Sequence, residues 1–315
     1  MRRFIGFASI VLLLNGLTLT GQSDTIIPDV RARIAKSDFT GGEALIADYR
    51  ARNGVTPTML EALSWLGRGA LAANRLEDAE RYARETHVLS LAALKNRGVD
   101  DEEHLPTALG AAIEVQAQAA AAGGDRSIAV QFLRQELNIY SDTSLHKRIQ
   151  KNINLLSLEG QPAPALDLSE YLGPKPPAVA QLKGQVVIMF FWAHWCSDCK
   201  AQGPILEGLL SKYGAQGLTI VAPTQRFGYA ARGRTVSPDE ERRYIAEVLD
   251  TSYGFLSGLP VPLAEANHKQ YGVSSTPTLV VLDRDGRIEL YNPGRMTLEE
   301  LEPVVRRLLD DAVAQ

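Results

Sequence analysis

The sequence feature that most constrains this chain is the stretch Val186–Lys200, whose sequence is VVIMFFWAHWCSDCK. Its first seven residues are apolar and rich in β-branched and aromatic side chains, which is typical of a fully buried strand. Cys196 and Cys199 follow at once and are the only cysteines in the chain. Apolar residues then recur at helical spacing through Leu210. The pattern predicts a buried strand, a short turn and a helix that begins at a C-x-x-C pair.

That placement predicts redox chemistry. A thiolate at a helix N-terminus meets free backbone N–H groups and the positive end of the helix dipole, so thiols there have pKa values of ~3.5–7.5 rather than ~8.5. Cys196, at the start of the helix, is the predicted nucleophile, and Cys199 would resolve the mixed disulfide. Two alternatives are an inert staple and half of a zinc site, for which His194 is the only nearby further ligand.

Composition limits the class of protein. The chain has 315 residues, 45% of them hydrophobic and 22% charged, which predicts a globular protein of about two domains. The net charge of −4 gives no basic surface, so nucleic acid is not expected as a partner.

The N-terminus predicts export. Met1-Arg2-Arg3 is basic, and residues 4–19 are mostly apolar, which is the length of a signal-peptide core and short of the ~20 residues that span a bilayer. We assign residues 1–22 to a signal peptide, with an uncleaved membrane anchor through residues 4–19 or a merely hydrophobic terminus as alternatives. The expected location is the periplasm or cell envelope. A single close-spaced cysteine pair closes too small a loop to stabilise a large exported fold. The pair is therefore predicted to be redox-active rather than structural.

Residues 25–157 are predicted to form an all-helical domain. Three short segments resemble one another, residues 38–44, 73–79 and 123–129, at spacings of ~35 and ~50 residues, the first close to the tetratricopeptide period. The domain therefore resembles a degenerate tetratricopeptide-type array. It would bind a protein or peptide partner, or else form a plain helical bundle that packs on the other domain or pairs protomers.

Residues 158–315 are predicted to form an α/β domain, with a mixed central sheet flanked by helices. Gly160–Pro164 breaks the helical pattern and opens it. The predicted elements after this break are a strand at 165–168, the central strand at 186–192, a strand at 219–222, a helix capped by Ser237, a helix at 265–271, a hairpin at 278–290 and a capped final helix from 297 to 309.

Several stretches of this second half match one known family. They are Gly160–Pro164, Leu182-Lys183-Gly184, Phe191–Lys200, Pro204, Tyr271-Gly272-Val273 and Thr276-Pro277-Thr278. With this combination of motifs the domain resembles the TlpA/ResA-like branch of the thioredoxin superfamily, whose members are exported thiol-disulfide oxidoreductases. The resemblance implies a thioredoxin-like fold and no cofactor or metal other than the redox-active Cys196–Cys199 disulfide. It also implies protein disulfides as substrates, a membrane-bound electron donor, and roles in cytochrome c maturation or repair of envelope proteins.

The same resemblance implies roles for the residues around the cysteines. Thr276-Pro277 corresponds to the cis-proline loop that faces the cysteines and presents the backbone of Thr276 to a substrate strand. Ser197 and Asp198 occupy positions that tune the redox poise. Since the charge of Asp198 opposes the helix dipole, we predict a reducing poise. Of the two tryptophans that flank the site, Trp192 is expected to lie in the core, and Trp195 to form an apolar rim for docking partners or else only to pack there.

The sequence departs from the family at two positions that often carry acids, where Phe190 and Gln202 stand instead. The proton acceptor for Cys199 is therefore open between His194, Glu207 and water. The insertion at 224–234, in which arginines alternate with aromatic residues, is either a partner-docking loop or a solvated crossover.

Three functions compete at this point. The first is an exported thiol-disulfide oxidoreductase with a helical domain that positions the partner. The second is a helical-repeat scaffold protein whose thioredoxin-like domain is secondary. The third is a peroxidase, which the residue Ala193 disfavours because peroxidatic sites usually carry Thr or Ser there.

Overall fold

The computed structural model describes residues 25–95 and 97–310, and the predicted signal or anchor segment lies outside these ranges. From residue 25 to residue 157 the described chain forms helices and turns without strands. Its α-helices are α1 (Ile26–Ile34), α2 (Phe39–Asn53), α3 (Pro57–Ala72), α4 (Leu76–Ala93), α5 (Leu105–Ala122), α6 (Arg126–Ile139) and α7 (His146–Ser157). Within the described ranges, no helix is both long enough and apolar enough to cross a bilayer.

Consecutive helices pack as antiparallel pairs, α1 with α2, α3 with α4 and α5 with α6, and α3 and α5 join the pairs into one array. The three turns within these pairs share one backbone geometry. Ser37, Asn74 and Gly124 each adopt a positive φ, and the next residue donates its N–H to the carbonyl five positions back, which closes each helix in a Schellman-type turn. The equivalent turns are thus 37 and 50 residues apart. The predicted spacing of ~35 for the first pair was wrong by two residues, because turn geometry and not residue likeness defines the repeat.

The second half of the chain contains the sheet. Its strands are β1 (Tyr171–Leu172), β2 (Val186–Phe191), β3 (Leu218–Val221), β4 (Val261–Pro262), β5 (Thr278–Leu282) and β6 (Ile288–Pro293). Its helices are α8 (Ser197–Tyr213), α9 (Pro238–Ser252), α10 (Glu265–Gln270) and α11 (Leu298–Asp310). The main sheet has the order β3-β2-β5-β6, in which β2 and β3 are parallel and the other pairs antiparallel.

The central strand β2 is buried at all six positions. One face packs in a core with the cysteines and α8, α9 and α11, and the other face packs with Tyr271, Val280 and Tyr291. The predicted fold, a thioredoxin-like α/β domain with a mixed sheet preceded by an all-helical region, is confirmed. The continuous apolar run in β2 is explained by burial on both faces of the sheet.

Local capping signals placed the later helices correctly. The hydroxyl of Ser237 accepts the Glu240 N–H at 3.3 Å at the start of α9. At the start of α11, the Thr297 hydroxyl accepts the Glu300 N–H at 3.3 Å, and the Glu300 carboxylate accepts the Thr297 N–H at 2.8 Å. This reciprocal pair is the predicted capping box.

The strand predicted at Ala165–Leu168 was wrong. That segment forms no strand, and the two-residue strand β1 forms later, where it pairs with β4. The side chain of Asn267 takes the place of a neighbouring strand: its Oδ1 accepts the Asp167 N–H at 2.7 Å and its Nδ2 donates to the Asp167 carbonyl at 2.9 Å. A distant amide side chain therefore satisfies a backbone that the local pattern assigned to a ladder.

The helical region docks on the α/β region through α7, which packs against α10 and β6. Gly272 marks the closest approach of the two backbones. It has a φ of +61°, and a Cβ placed on it would lie 2.3 Å from the backbone nitrogen of Lys151. Lys147 on the same helix donates to Gln225 Oε1 at 3.2 Å and pairs with Glu265 at 3.3 Å. The helical region thus lies directly beside the loop that leads to Thr276-Pro277.

Candidate active site

The two cysteines lie where β2 ends and α8 begins. Cys196 is the N-cap of α8, and its Sγ accepts the Cys199 N–H at 3.0 Å. The pair forms a disulfide with its Cα atoms 5.3 Å apart. Both cysteines are buried in this oxidised state, with Cys196 3% and Cys199 0% exposed. Cys196 is nevertheless the outer sulfur of the two, and it accepts an N–H group from the first turn of α8.

The loop before β5 faces the disulfide. Phe191, the last residue of β2, is paired with Thr278, so the residues just before Thr278 must lie at the same sheet edge as the cysteines. The Thr276–Pro277 peptide bond is cis, as the resemblance implied, and the Thr276 carbonyl oxygen lies 3.4 Å from Cys196 Sγ. The register of the sheet therefore brings together two segments that are 80 residues apart.

The two tryptophans occupy different environments. Trp192 is fully buried, and its Nε1 donates to the Ala222 carbonyl at 3.0 Å. Trp195 is 52% exposed beside the disulfide and meets the ring of Phe227 edge-on, with the centroids 5.6 Å apart. An exposed aromatic ring next to Cys196 can contact a docked polypeptide without moving the core.

Ser197 and Asp198 lie exposed in the first turn of α8. The Asp198 carboxylate is 3.6 Å from the Arg295 guanidinium, and both side chains are at least half exposed. No motif in the sequence predicts this opposing charge, because Arg295 is 97 residues from Asp198. An exposed pair of this kind is weak, about 0–1 kcal/mol, so it offsets the influence of Asp198 on the cysteines only in part.

A buried histidine–glutamate pair anchors the insertion at 224–234. Glu241, on α9, is 1% exposed and accepts the backbone N–H groups of Phe227 and Gly228, the latter at 2.9 Å. The same carboxylate lies 3.3 Å from His194 Nε2. Residues 224–230 thus pack mostly against the site and residues 231–235 are exposed, so a wholly solvated crossover is wrong. The sequence places Glu241 in the first turn of α9 and carries no local signal for its burial.

The ring of His194 is enclosed by three aromatic side chains, Phe227, Tyr229 and Tyr244, at centroid distances of 5.2–5.4 Å. Burial lowers the pKa of His194, and the neighbouring Glu241 carboxylate opposes that shift without cancelling it. His194 is therefore neutral at pH 7 and adds no positive charge beside the cysteines. Within the described ranges, no group of three or more His, Cys, Asp and Glu side chains could hold a metal ion.

No carboxylate replaces the acids expected at 190 and 202. Phe190 packs on Tyr253 with centroids 5.8 Å apart. Gln202 is fully buried, and its Oε1 accepts the Met296 N–H at 2.9 Å. Glu207, a candidate proton acceptor, is exposed on α8. The hydroxyl of Tyr253 is buried in the same core as Cys199 without a hydrogen-bond partner, and burial raises its pKa.

Two cavities meet at the residues that precede the cis peptide bond. A cavity of about 310 Å³ beside Trp195 is lined by Phe227, His268 and Thr276, and also by Ser274 and Ser275. A second, of about 750 Å³, is lined by the same two serines and by charged residues of α3, α5 and α7. The second cavity joins the helical region to the active-site loop. Its residues could not be predicted from the sequence, because no motif links them.

His268, in the smaller cavity, supplies a pH test. It is 1% exposed, and burial, assisted by the nearby Lys147 charge, lowers its pKa to about 3. The unfolded chain takes up a proton near pH 6.5, whereas the folded chain does not, so stability is complete above that pH and falls below it. Between pH 7 and pH 5 we expect the free energy of unfolding to fall by about 2 kcal/mol more in the wild type than in His268→Gln.

Urea unfolding at both pH values measures this difference. His146→Gln is the matched control, because the His146 ring is on the surface and bonds only the Ser141 carbonyl. It should lose as much stability as the wild type. An equal loss in wild type and His268→Gln would show that His268 is not kept neutral by the fold.

A four-stranded mixed sheet, a disulfide at a helix N-terminus and a facing cis-proline loop define a thioredoxin-fold dithiol–disulfide centre. The Redoxin family matches residues 158–308. The chain is 31% identical over 144 residues to the thioredoxin-like protein YneN of Bacillus subtilis (strain 168), covering 46% of this chain and 76% of that protein. It is 26% identical over 149 residues to the thiol-disulfide oxidoreductase ResA of Bacillus thuringiensis (strain Al Hakam), covering 47% and 78%.

Among solved structures, a thiol:disulfide interchange protein of the thioredoxin family from Chlorobium tepidum TLS is similar, with 22% identity and a TM-score of 0.37. The match covers 47% of this chain and 96% of that one. From the sequence relatives and its own fold, this chain belongs to the TlpA/ResA-like branch of the thioredoxin superfamily and is a thiol-disulfide oxidoreductase.

Proposed function

We propose that the protein is an exported reductase that transfers two electrons from the Cys196/Cys199 dithiol to disulfides of cell-envelope proteins. The observation that carries this proposal is the position of Cys196, the outer sulfur, at the N-terminus of α8 and 3.4 Å from the Thr276 carbonyl. A sulfur in this position has donors that stabilise a thiolate and a neighbouring backbone that can bind a substrate strand.

The reaction begins with the reduced protein. The Cys196 thiolate attacks one sulfur of the substrate disulfide, whose S–S bond breaks, and the released substrate thiolate takes a proton. Cys199 then loses its proton and attacks Cys196 Sγ, which releases the second substrate thiolate. The substrate gains two electrons and the protein gains the Cys196–Cys199 disulfide. The redox-active disulfide is the only cofactor that this reaction requires.

The residues around the disulfide would each have a particular role in this reaction. The Thr276 backbone would pair with the substrate chain, and Pro277 would keep that segment from donating to its own fold. Trp195 would contact apolar side chains of the substrate. Because Phe190 and Gln202 carry no negative charge, the proton of Cys199 would pass to water rather than to a buried carboxylate.

The substrate class and the location extend this proposal. The disulfide of apocytochrome c, which must be reduced before haem is attached to its cysteines, and the disulfides of oxidised periplasmic or envelope proteins are the two classes of substrate that fit an exported reductase. A membrane-bound dithiol protein would donate the electrons that reduce the Cys196–Cys199 disulfide again after each turnover. The apolar residues 4–19 would direct export or anchor the chain, and the helical region would bind a protein partner.

Insulin reduction and a reduction potential test the proposal. We expect the wild type to accelerate insulin precipitation by dithiothreitol, and its potential to lie nearer the ~−270 mV of thioredoxin than the ~−120 mV of the strongest oxidants. A potential near ~−120 mV would contradict a reducing role. A failure to turn over insulin or any other protein disulfide would contradict the enzymatic function and favour a scaffold.

A further inference from the structure

The larger cavity, which joins the two halves of the chain, is the strongest unassigned feature of the molecule. It has a volume of about 750 Å³. Its polar lining consists of Arg68 of α3, Glu114 and Gln118 of α5, Arg148 and Lys151 of α7, and the two serines before the cis bond, Ser274 and Ser275. Four chain segments that are far apart in sequence thus present three cations, one carboxylate and two hydroxyl groups to one space.

The charges in this cavity do not balance. Glu114 accepts from Arg148 Nε at 2.7 Å and pairs with Lys151 at 3.3 Å, so one carboxylate serves two cations. Burial of Glu114 would raise its pKa, but these two charges outweigh burial and keep the carboxyl ionised. The cavity therefore carries an excess of positive charge before Arg68 is considered.

Arg68 adds a further cation without an ion pair. Its guanidinium lies over the Trp65 ring, 4.6 Å from the centroid, and no described carboxylate forms a salt bridge with it. Burial, together with the nearby Arg148 charge, lowers the pKa of Arg68 to about 10, so it is charged at neutral pH. A half-buried guanidinium costs free energy unless an anion pairs with it, and its fork of N–H groups fits a carboxylate.

The position of the cavity indicates what that anion is. Ser274 and Ser275 line both this cavity and the smaller one beside Trp195 and Thr276. A polypeptide joined to Cys196 and paired with the Thr276 backbone therefore passes within reach of the larger cavity. A binding site for a free small anion would not have to lie beside the disulfide, whereas a site for a substrate side chain would.

We propose that this cavity binds an acidic side chain, Asp or Glu, that flanks the target cysteine in a polypeptide substrate, with Arg68 as its main partner. The inference rests on the proposed function, because it assigns the substrate preference of the same site. The helical region would then select substrates by charge, at a position that the α/β region alone does not contain.

Peptide binding to the oxidised full-length protein tests this without turnover. Two fluorescein-labelled peptides, each with one internal disulfide, differ only in having Asp and Glu or Asn and Gln beside the cysteines. By fluorescence anisotropy at low salt, we expect the acidic peptide to bind about 10-fold more tightly, which is the strength of one well-formed charged hydrogen-bond pair. This difference in affinity between the acidic and the neutral peptide, the acidic advantage, should become smaller as salt is added.

Arg68→Gln should remove that advantage, and Arg68→Lys should keep part of it. Arg31→Gln is the matched control: Arg31 also lies over the Trp65 ring, 4.4 Å from the centroid, but is exposed and does not line the cavity. It removes the same charge and should leave the advantage intact. Circular dichroism verifies that each variant is folded.

Three results would overturn the proposal. They are equal affinities of the wild type for the two peptides, equal losses in Arg31→Gln and Arg68→Gln, and displacement of the acidic peptide by free succinate at an equal concentration, which would indicate a small-anion site. Insulin reduction by the wild type is measured in parallel. Insulin turnover with equal peptide affinities contradicts only the acidic preference, whereas acidic preference without any turnover contradicts only the reductase function.

Discussion

Cys196→Ser should reduce protein disulfides at least about 10³-fold more slowly than the wild type, because a serine hydroxyl cannot form the mixed disulfide. Cys199→Ala should also fail to turn over, but for a different reason. Its Cys196 can still attack the substrate, and no second thiol then releases it. The measurement is insulin reduction together with non-reducing electrophoresis after incubation with an oxidised protein substrate.

The two variants control for each other. Both lack the Cys196–Cys199 disulfide, so a difference between them cannot arise from loss of a structural cross-link. Cys199→Ala should accumulate a covalent adduct that dithiothreitol releases, and Cys196→Ser should form none. The reverse pattern, an adduct with Cys196→Ser alone, would assign the nucleophile to Cys199 and contradict the role given to the outer sulfur.

Gly272→Ala should destabilise the protein by about 2–5 kcal/mol, the sum of a left-handed backbone penalty of about 1–2 kcal/mol and an overpacking cost of about 1–3 kcal/mol. Gly272 has a φ of +61°, and a Cβ there would lie 2.3 Å from the Lys151 nitrogen and 2.6 Å from its Cα. Neither contact can relax by a side-chain rotation, because both atoms belong to the backbone of α7. Either α7 moves away or the chain before the cis-proline loop shifts.

Gly286→Ala provides the comparison. Gly286 has a φ of +79°, and nothing lies within 4 Å of the Cβ position. This variant should lose only the backbone penalty, about 1–2 kcal/mol. Urea unfolding followed by tryptophan fluorescence measures both, since Trp65 lies in the helical region and Trp192 and Trp195 in the α/β region. Equal losses in the two variants would show that α7 does not press on Gly272 in solution.

The elements that the sequence predicted correctly are those whose signal lies within a few consecutive residues. The apolar run of β2, the helix at the cysteines, the cap at Ser237 and the capping box at Thr297 depend on spacing and hydrogen bonds inside one segment. Such signals act within one segment, and in these segments the local preference is consistent with the tertiary structure.

The predictions that failed depended on a distant partner. The segment 165–168 has a suitable pattern for a strand, but Asn267 satisfies its backbone from 100 residues away. In that segment a side chain takes the place of the strand partner that the local pattern implied. Glu241 lies in the first turn of α9 as its position predicts, but its burial depends on the loop at 227–228 and on His194, which no local pattern indicates.

The sequence by itself determined the chemistry of this protein, since a C-x-x-C at the end of a buried strand and the start of a helix requires few other residues to become a redox centre. It also determined the all-helical and α/β halves, because hydrophobic periodicity is a local property. Only the tertiary structure brought Thr276 within 3.4 Å of Cys196 Sγ and gathered Arg68, Glu114, Lys151 and Ser275 around one cavity. Those contacts depend on sheet register and on the docking of α7 at Gly272, and neither is encoded in any single segment of the chain.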